Sequence, residues 1–380
     1  ALLLLANSRG PRSVLFLRER DELRERWEGE RIGLKRARRR FDVDEVRSIE
    51  DIVRDLPELL RDNQTLHFPP GINPTLDRLV WDLFCSPVSP RPTAPTQLRD
   101  ARLLLSEMRW VKDREEIAAI RHAADITAHG LAATVQALST AKSELHCARL
   151  LEGHFARLGA TGVGFETIVA SGRHRTVLHH HSSLQPLWKR KPVLIDCGAR
   201  FQGYCGDITR TFPPHGGFPG AERDVYLVVY RALQRALSKA KPRSTLDRIH
   251  NAAVRELTKG LVELGILEAD ARNLVSEGAY RPYYMHKTSH WLGLDVHDIS
   301  PLHANPSRLP LSSSSRELVP GVVFTIEPGL YFDERDTSVP EAFRGIGVRL
   351  EEDVVITATG HTVLSSTIPV AIDDVENLVG

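Results

Sequence analysis

The sequence has few cysteines, no long apolar run and no surplus of either charge. Four cysteines in 380 residues (Cys85, Cys147, Cys197 and Cys205) make no Cys-x-x-Cys pair and no disulfide-framework spacing. Reduced thiols are therefore expected, as in a cytoplasmic protein, although Cys197 and Cys205 fall near each other in a hairpin where a bridge is conceivable. No apolar stretch approaches the roughly 20 residues that span a bilayer. The opening Ala1-Leu-Leu-Leu-Leu-Ala6 is too short and lacks the basic leader of a secretory signal. With 50 Lys and Arg against 49 Asp and Glu, net charge points to no acidic partner. The basic run Lys35-Arg-Ala-Arg-Arg-Arg40 is followed at once by Asp42, Asp44 and Glu45, so a solvated surface is expected there and no nucleic acid. No initiator Met is present, and the chain opens within a strand-like stretch, which reads as a fragment or processed form.

What is there is a substantial apolar content, 42%, beside 26% charged residues, the balance of a globular protein of one large or two smaller domains. Residues 1–108 read as a small α/β domain: strands at 1–6 and 13–17 around the turn Ser8-Arg-Gly-Pro11, and apolar residues at helical spacing over 44–60. Four prolines within residues 86–95 mark a loop near a domain border. A second domain, 109–380, opens on a helix over 113–138 with Asp113 as N-cap and Glu116 three residues on. Further amphipathic helices are expected over 221–239 and 246–264, the latter stopped by Gly265. Among the three consecutive histidines His179, His180 and His181, one functional ring beside exposed ones is expected, since neighbouring strand side chains face opposite ways. The order helix, hairpin, helices, acidic strands hints at an internally duplicated α+β unit.

The chemistry concentrates in the acidic strands. Residues 193–212 read as a hairpin; centred between Phe201 and Gln202, it sets Asp196 opposite Asp207, with Cβ atoms about 4.5–5.5 Å apart. Two carboxylates that close need a proton or a cation between them, and a divalent metal is the simplest remedy. Downstream, His286, His290 and His297 lie within twelve residues. The strand 322–327 ends in Glu327 before Pro-Gly, and Arg349, Glu351 and Asp353 share one side of another strand by alternation. Each acid alone is as well explained by a turn or an Arg partner. The ordered set Asp196, Asp207, His290, Glu327 and Glu351 suits a pair of hard divalent ions, Mn²⁺ foremost, with Zn²⁺, Co²⁺ or Fe²⁺ also compatible.

Five segments resemble the pita-bread metallopeptidases, and specifically their aminopeptidase P branch. They are Leu194-Ile-Asp-Cys-Gly198, Gly206-Asp-Ile-Thr-Arg-Thr-Phe-Pro213, Ser289-His-Trp-Leu-Gly-Leu-Asp-Val-His-Asp298, Thr325-Ile-Glu-Pro-Gly-Leu-Tyr331 and Arg344-Gly-Ile-Gly-Val-Arg-Leu-Glu-Glu-Asp353. The resemblance implies a pita-bread catalytic domain behind an amino-terminal domain shorter than usual, which in relatives mediates assembly into homo-oligomers. It implies a metalloaminopeptidase that removes the first residue from peptides with proline second. Asp196, Asp207, His290, Glu327 and Glu351 become the ligands of two metals, Glu327 also the general base, and His179 and His297 the stabilisers of the oxyanion. His286 and Arg349 become substrate-site residues. A prolidase acting on Xaa-Pro dipeptides, or a metal-free pita-bread module that binds peptides, are the alternatives; the complete ligand set disfavours the second. Departures from the family pattern are Cys197 in the Asp-x-Gly turn, His174 for a frequent Asn, His180 for a frequent Tyr, and Lys287 and Thr288 after His286. An ammonium at Lys287 is expected to weaken metal binding or lower the His286 pKa unless it points away.

Overall fold

The computed structural model describes residues 2–5, 13–60, 63–85, 95–188, 191–213, 216–299 and 316–379. The expected turn at 8–11 and most of the proline-rich stretch at 86–95 lie outside them. Two compact units emerge, Ala1–Leu105 and Ser106–Gly380. No helix among the described residues is long and apolar enough to cross a membrane.

In the first unit the central strand Ser13–Leu17 pairs antiparallel with Leu2–Leu5 and parallel with Glu45–Ser48. Its alternation sends Val14 and Phe16 inward, against Ile52, Leu56, Leu66 and Val80. A second parallel pair joins Thr65–Phe68 to Gln97–Asp100. The helix expected over 44–60 is only half realised. Residues Glu45–Ser48 form a strand whose burial alternates, and the helix runs Ile52–Leu59 after a single tight turn. Val46 and Ser48 point to the same buried side at a spacing of two, so pairing with Ser13–Leu17 overrides the helical periodicity. The Ser48 hydroxyl then accepts from the Glu50 N–H at the start of that turn. The basic run lies on the helix Gly33–Arg40, where Arg36 pairs with Glu30 and Arg38 donates to the Val46 carbonyl.

The second unit opens as its sequence dictates. Asp113 accepts from the N–H groups of Glu115 and Glu116 while Glu116 accepts from the Asp113 N–H, a complete capping box for the helix Arg114–Gln136. The helix Glu144–Arg157 follows, capped by Ser143. Helices Gly220–Leu237 and Leu246–Glu263 pack so closely that a Cβ at Gly260 would meet Val228 at 2.1 Å. Gly265 ends the second of them at φ +67°.

Two antiparallel sheets hold the acidic strands. One runs Ile208–Phe212, Val193–Cys197, Ile168–Ser171; the other runs Val323–Ile326, Glu352–Ile356, His361–Val363, with a ribbon of Gly329–Tyr331 and Gly347–Arg349 beside it. Hydrogen bonds stitch the halves together: Glu351 N–H donates to the Thr209 carbonyl at 3.0 Å, and the Arg349 N–H to the Thr211 hydroxyl at 3.3 Å. Two buried ion pairs, Arg210–Glu352 and Arg175–Glu222, lock the surrounding frame at 2.7 Å each. All four cysteines are free, so the bridge conceivable between Cys197 and Cys205 is not formed.

The acidic hairpin differs from the expectation in register. Tyr204 pairs with Phe201 and Thr209 with Asp196, so Asp196 does not face Asp207. The turn is the pair Gln202-Gly203, both at positive φ (49° and 90°). That is the primed two-residue turn whose twist suits a hairpin. Its centre lies one residue later than supposed, which shifts every pairing by two. An even shift keeps the face of the sheet: Asp207 remains on the side of Asp196, as a diagonal neighbour.

Candidate metal centre

Asp196 sits at the end of one hairpin strand and Asp207 just before the other, because the chain between them must pass a constriction. A Cβ at Gly198 would lie 1.9 Å from the Gly206 carbonyl oxygen, so only glycine lets the two strands cross there. Glu327 follows the buried strand Val323–Ile326, and Glu351 precedes the buried strand Glu352–Ile356. His290 is tied down by its own N–H to the Thr325 hydroxyl at 3.2 Å. These five side chains line one pocket of about 490 Å³ together with His179, His286, His297 and Arg349. Phe165, Ile168, Leu178 and Val296 supply apolar wall.

The distances give the site its character. His290 Nε2 lies 3.3 Å from Asp207 Oδ2 and 3.6 Å from Glu327 Oε1. One donor atom each from Asp207, His290 and Glu351 fall within 4.8 Å of one another. His290 Nδ1 is 3.1 Å from the Trp291 carbonyl; it therefore carries the proton, and Nε2 presents a lone pair to the carboxylates. Burial first, then Glu351 and Asp196, pushes the Asp207 carboxyl well above its usual range. Burial and Glu351 do the same to Glu327, while burial and Asp196 push Glu351 up to about 7. Among the described residues the buried Asp196 Oδ1 has no hydrogen-bond partner. Crowded buried carboxylates, an unpartnered carboxylate oxygen and an imidazole lone pair all fit divalent cations.

Hydrogen bonds hold the rest of the wall. Arg349 donates to Asp196 Oδ2 at 2.5 Å, to the Thr209 hydroxyl at 3.1 Å and to the Tyr331 hydroxyl at 3.1 Å. Thr209 in turn donates to Glu351 Oε2 at 2.7 Å. His286 Nδ1 bonds the Lys287 carbonyl at 2.8 Å, which leaves Nε2 to accept from Tyr331 at 3.0 Å. Burial, then Arg349, lowers the His286 pKa to about 3. Lys287 lines the same pocket and bears on His250, which burial and that ammonium hold at about 4. Thr288 is buried, with its hydroxyl 2.8 Å from His250 and 2.6 Å from Tyr284. His290 and His297 lie with ring centres 4.2 Å apart.

Of the three consecutive histidines, His181 is exposed and pairs with Glu166, whereas His180 is held by the buried Glu144. They follow a tight helical turn, Gly172–Thr176, and not the strand supposed for them. Sequence reasoning missed Thr209, Tyr331 and Glu144. Thr209 and Tyr331 stand within the quoted segments, but their roles arise from bonds between distant strands; Glu144 carries no local signal.

Known proteins resemble the chain over nearly its whole length. The model of metallopeptidase family M24 matches residues 118–358, and that of the aminopeptidase P N-terminal domain matches residues 1–67. The Xaa-Pro aminopeptidase of Haemophilus influenzae is 37% identical over 379 residues, covering 100% of this chain and 84% of that protein. That of Escherichia coli is 36% identical, covering 97% and 82%. Among solved structures, Pseudomonas aeruginosa aminopeptidase PepP superposes with a TM-score of 0.90 at 33% identity, over 99% of this chain and 85% of that one. An Escherichia coli aminopeptidase P variant in complex with substrate gives 0.88 at 35% identity, over 97% and 82%.

Proposed function

The chain belongs to metallopeptidase family M24, with that family's pita-bread fold, and on this footing we propose that it is an Xaa-Pro aminopeptidase. It hydrolyses the bond before proline and releases the first residue of peptides with proline second. The observation that carries this reading is the convergence of Asp196, Asp207, His290, Glu327 and Glu351 in one pocket walled by His179, His286 and His297.

The five side chains would hold two divalent ions, and their predominance of oxygen favours Mn²⁺. When bound, such a pair supplies Lewis acidity and lowers the pKa of water. Glu327 takes the proton of the attacking water and delivers it to the leaving nitrogen. His179 and His297 donate to the carbonyl oxygen as it gains charge. His286 positions the proline side of the substrate, and the chain Arg349 to Tyr331 to His286 fixes its ring. The Xaa-Pro nitrogen has no N–H to donate, so recognition there rests on shape, which the apolar wall provides.

Hydrolysis of Arg-Pro-Pro set against Arg-Pro, with the protein's metal content measured, tests the reading. Cleavage of the tripeptide by metal-loaded protein is expected. Activity on the dipeptide alone would make it a prolidase, and failure to retain metal after Mn²⁺ reconstitution would favour a peptide-binding module.

A further inference from the structure

Glu144 lies outside the metal centre, yet it is among the most heavily bonded side chains of the second unit. It begins the helix Glu144–Arg157, and its side chain is fully buried. Oε1 accepts from the Ser171 N–H at 3.0 Å and from His174 Nδ1 at 2.7 Å. Oε2 accepts from His180 Nε2 at 2.8 Å, the Ser183 hydroxyl at 3.0 Å and the Ser183 N–H at 3.3 Å. An ionised carboxylate offers about four lone-pair sites, so five donors saturate it. Because the carboxylate is acceptor-only, each imidazole presents an N–H to it. The two rings stack, centres 4.5 Å apart and 25° from parallel. Although the donor atoms of Glu144, His174 and His180 are close enough to share an ion, this saturation explains the cluster without one.

All five donors come from residues 171–183, a segment that leaves the strand Ile168–Ser171 at its first residue and, apart from one tight helical turn, then has no regular structure. His179 belongs to this segment and lines the pocket, immediately before the bonded His180. A strand or helix would fix such a side chain through its backbone ladder; here Arg175, paired with Glu222, and Ser182, bonded to Val169 and Thr167, pin points along the segment, and one buried carboxylate ties its two ends together around His179.

We propose that Glu144 is a positioning residue for His179, holding the 171–183 segment so that the imidazole meets the substrate carbonyl. The inference rests on the aminopeptidase reading for the role of His179, but the clamp itself has an observable of its own. In Mn²⁺-reconstituted protein, Glu144→Gln replaces an acceptor oxygen by an NH₂ that faces donors. Hydrogen exchange is then expected to quicken across residues 171–183 while residues 193–212 keep their protection. Unchanged exchange over 171–183 would overturn the clamp, whatever the activity. With Arg-Pro-Pro as substrate, Glu144→Gln is expected to lower kcat about 10- to 100-fold at unchanged metal content. In a His179→Ala background the same change should cost about three-fold or less, because the two act as one unit. An equal loss in both backgrounds would reduce Glu144 to a general structural role. If Glu144→Gln does not fold, His180→Phe and Ser183→Ala, which each free one part of the segment, carry the same comparison. Absence of Xaa-Pro cleavage by the unaltered protein would sink the functional reading and leave the exchange result to judge the clamp.

Discussion

Glu327 divides its carboxylate between two neighbours, one oxygen 3.6 Å from His290 Nε2 and the other 3.5 Å from His286 Nδ1. A side chain so placed can hold a cation and still reach the substrate side of the pocket. Asp207 is buried, 3.3 Å from the same His290 nitrogen and crowded by Glu351 and Asp196. Replacing either by alanine is therefore expected to abolish hydrolysis of Arg-Pro-Pro, with losses of at least about 10²–10⁴-fold for Glu327→Ala, and Asp207→Ala should also lose metal. Lys287→Gly should behave oppositely: its side chain is exposed, has no ion-pair partner among the described residues and bears on His250, so kcat/KM should equal or exceed the unaltered value. The acids and His290 were legible in the sequence because each stands at the end of an apolar run or in a dense motif. Thr209 and Tyr331 were not, since a hydroxyl acquires its partner only when Glu351 and Arg349 arrive from more than a hundred residues away or across a ribbon.

At the scale of elements, the acidic hairpin shows what alternation can and cannot tell. It placed both carboxylates on one face, but the register belonged to the turn, and Gln202-Gly203 sets it through backbone angles that hydrophobic patterning does not reveal. The same limit produced the misreading of residues 44–60, where a parallel partner from elsewhere decided between two periods. Gly198 is the hairpin's tightest point, and Gly198→Ala should destabilise the protein by about 1–3 kcal/mol or more, read as a lower Tm accompanied by weaker metal retention. Glu144 supplies a second test. Burial alone would raise its pKa, but bonds from His180, His174 and the Ser171 N–H outweigh that and hold it at about 2. A carboxylate depressed in the folded state stabilises fully above its unfolded pKa, near 4.5, and loses that contribution as pH falls toward 2. The stability difference between the unaltered protein and Glu144→Gln should accordingly be largest at pH 6–7 and shrink between about pH 4.5 and 2, as measured by denaturant unfolding.

At the scale of the whole catalytic unit, each half supplies part of one centre: Asp196 and Asp207 from the first sheet, Glu327 and Glu351 from the borders of the second. Bringing four carboxylates together in a buried place opposes folding unless cations join them. Chelation should lower Tm, and restoring Mn²⁺ should raise it in a concentration-dependent manner, the gain in unfolding free energy being about 2.7 kcal/mol for one site at a hundred times its Kd, followed by calorimetry. The helices and the capping box that frame the halves were readable from local spacing, whereas the seam from Glu351 to Thr209 exists only in the assembled unit. The turn Gln202-Gly203 carries a consequence for how such a chain can change over generations. A change in it that slips the pairing by a single residue would carry the Asp207 carboxylate to the far side of the sheet, whereas a slip of two would leave it facing its partners. An inserted residue is thus tolerated at this tip only where the loop absorbs it without slipping the strands, a constraint of parity that the metal centre places on its two aspartates.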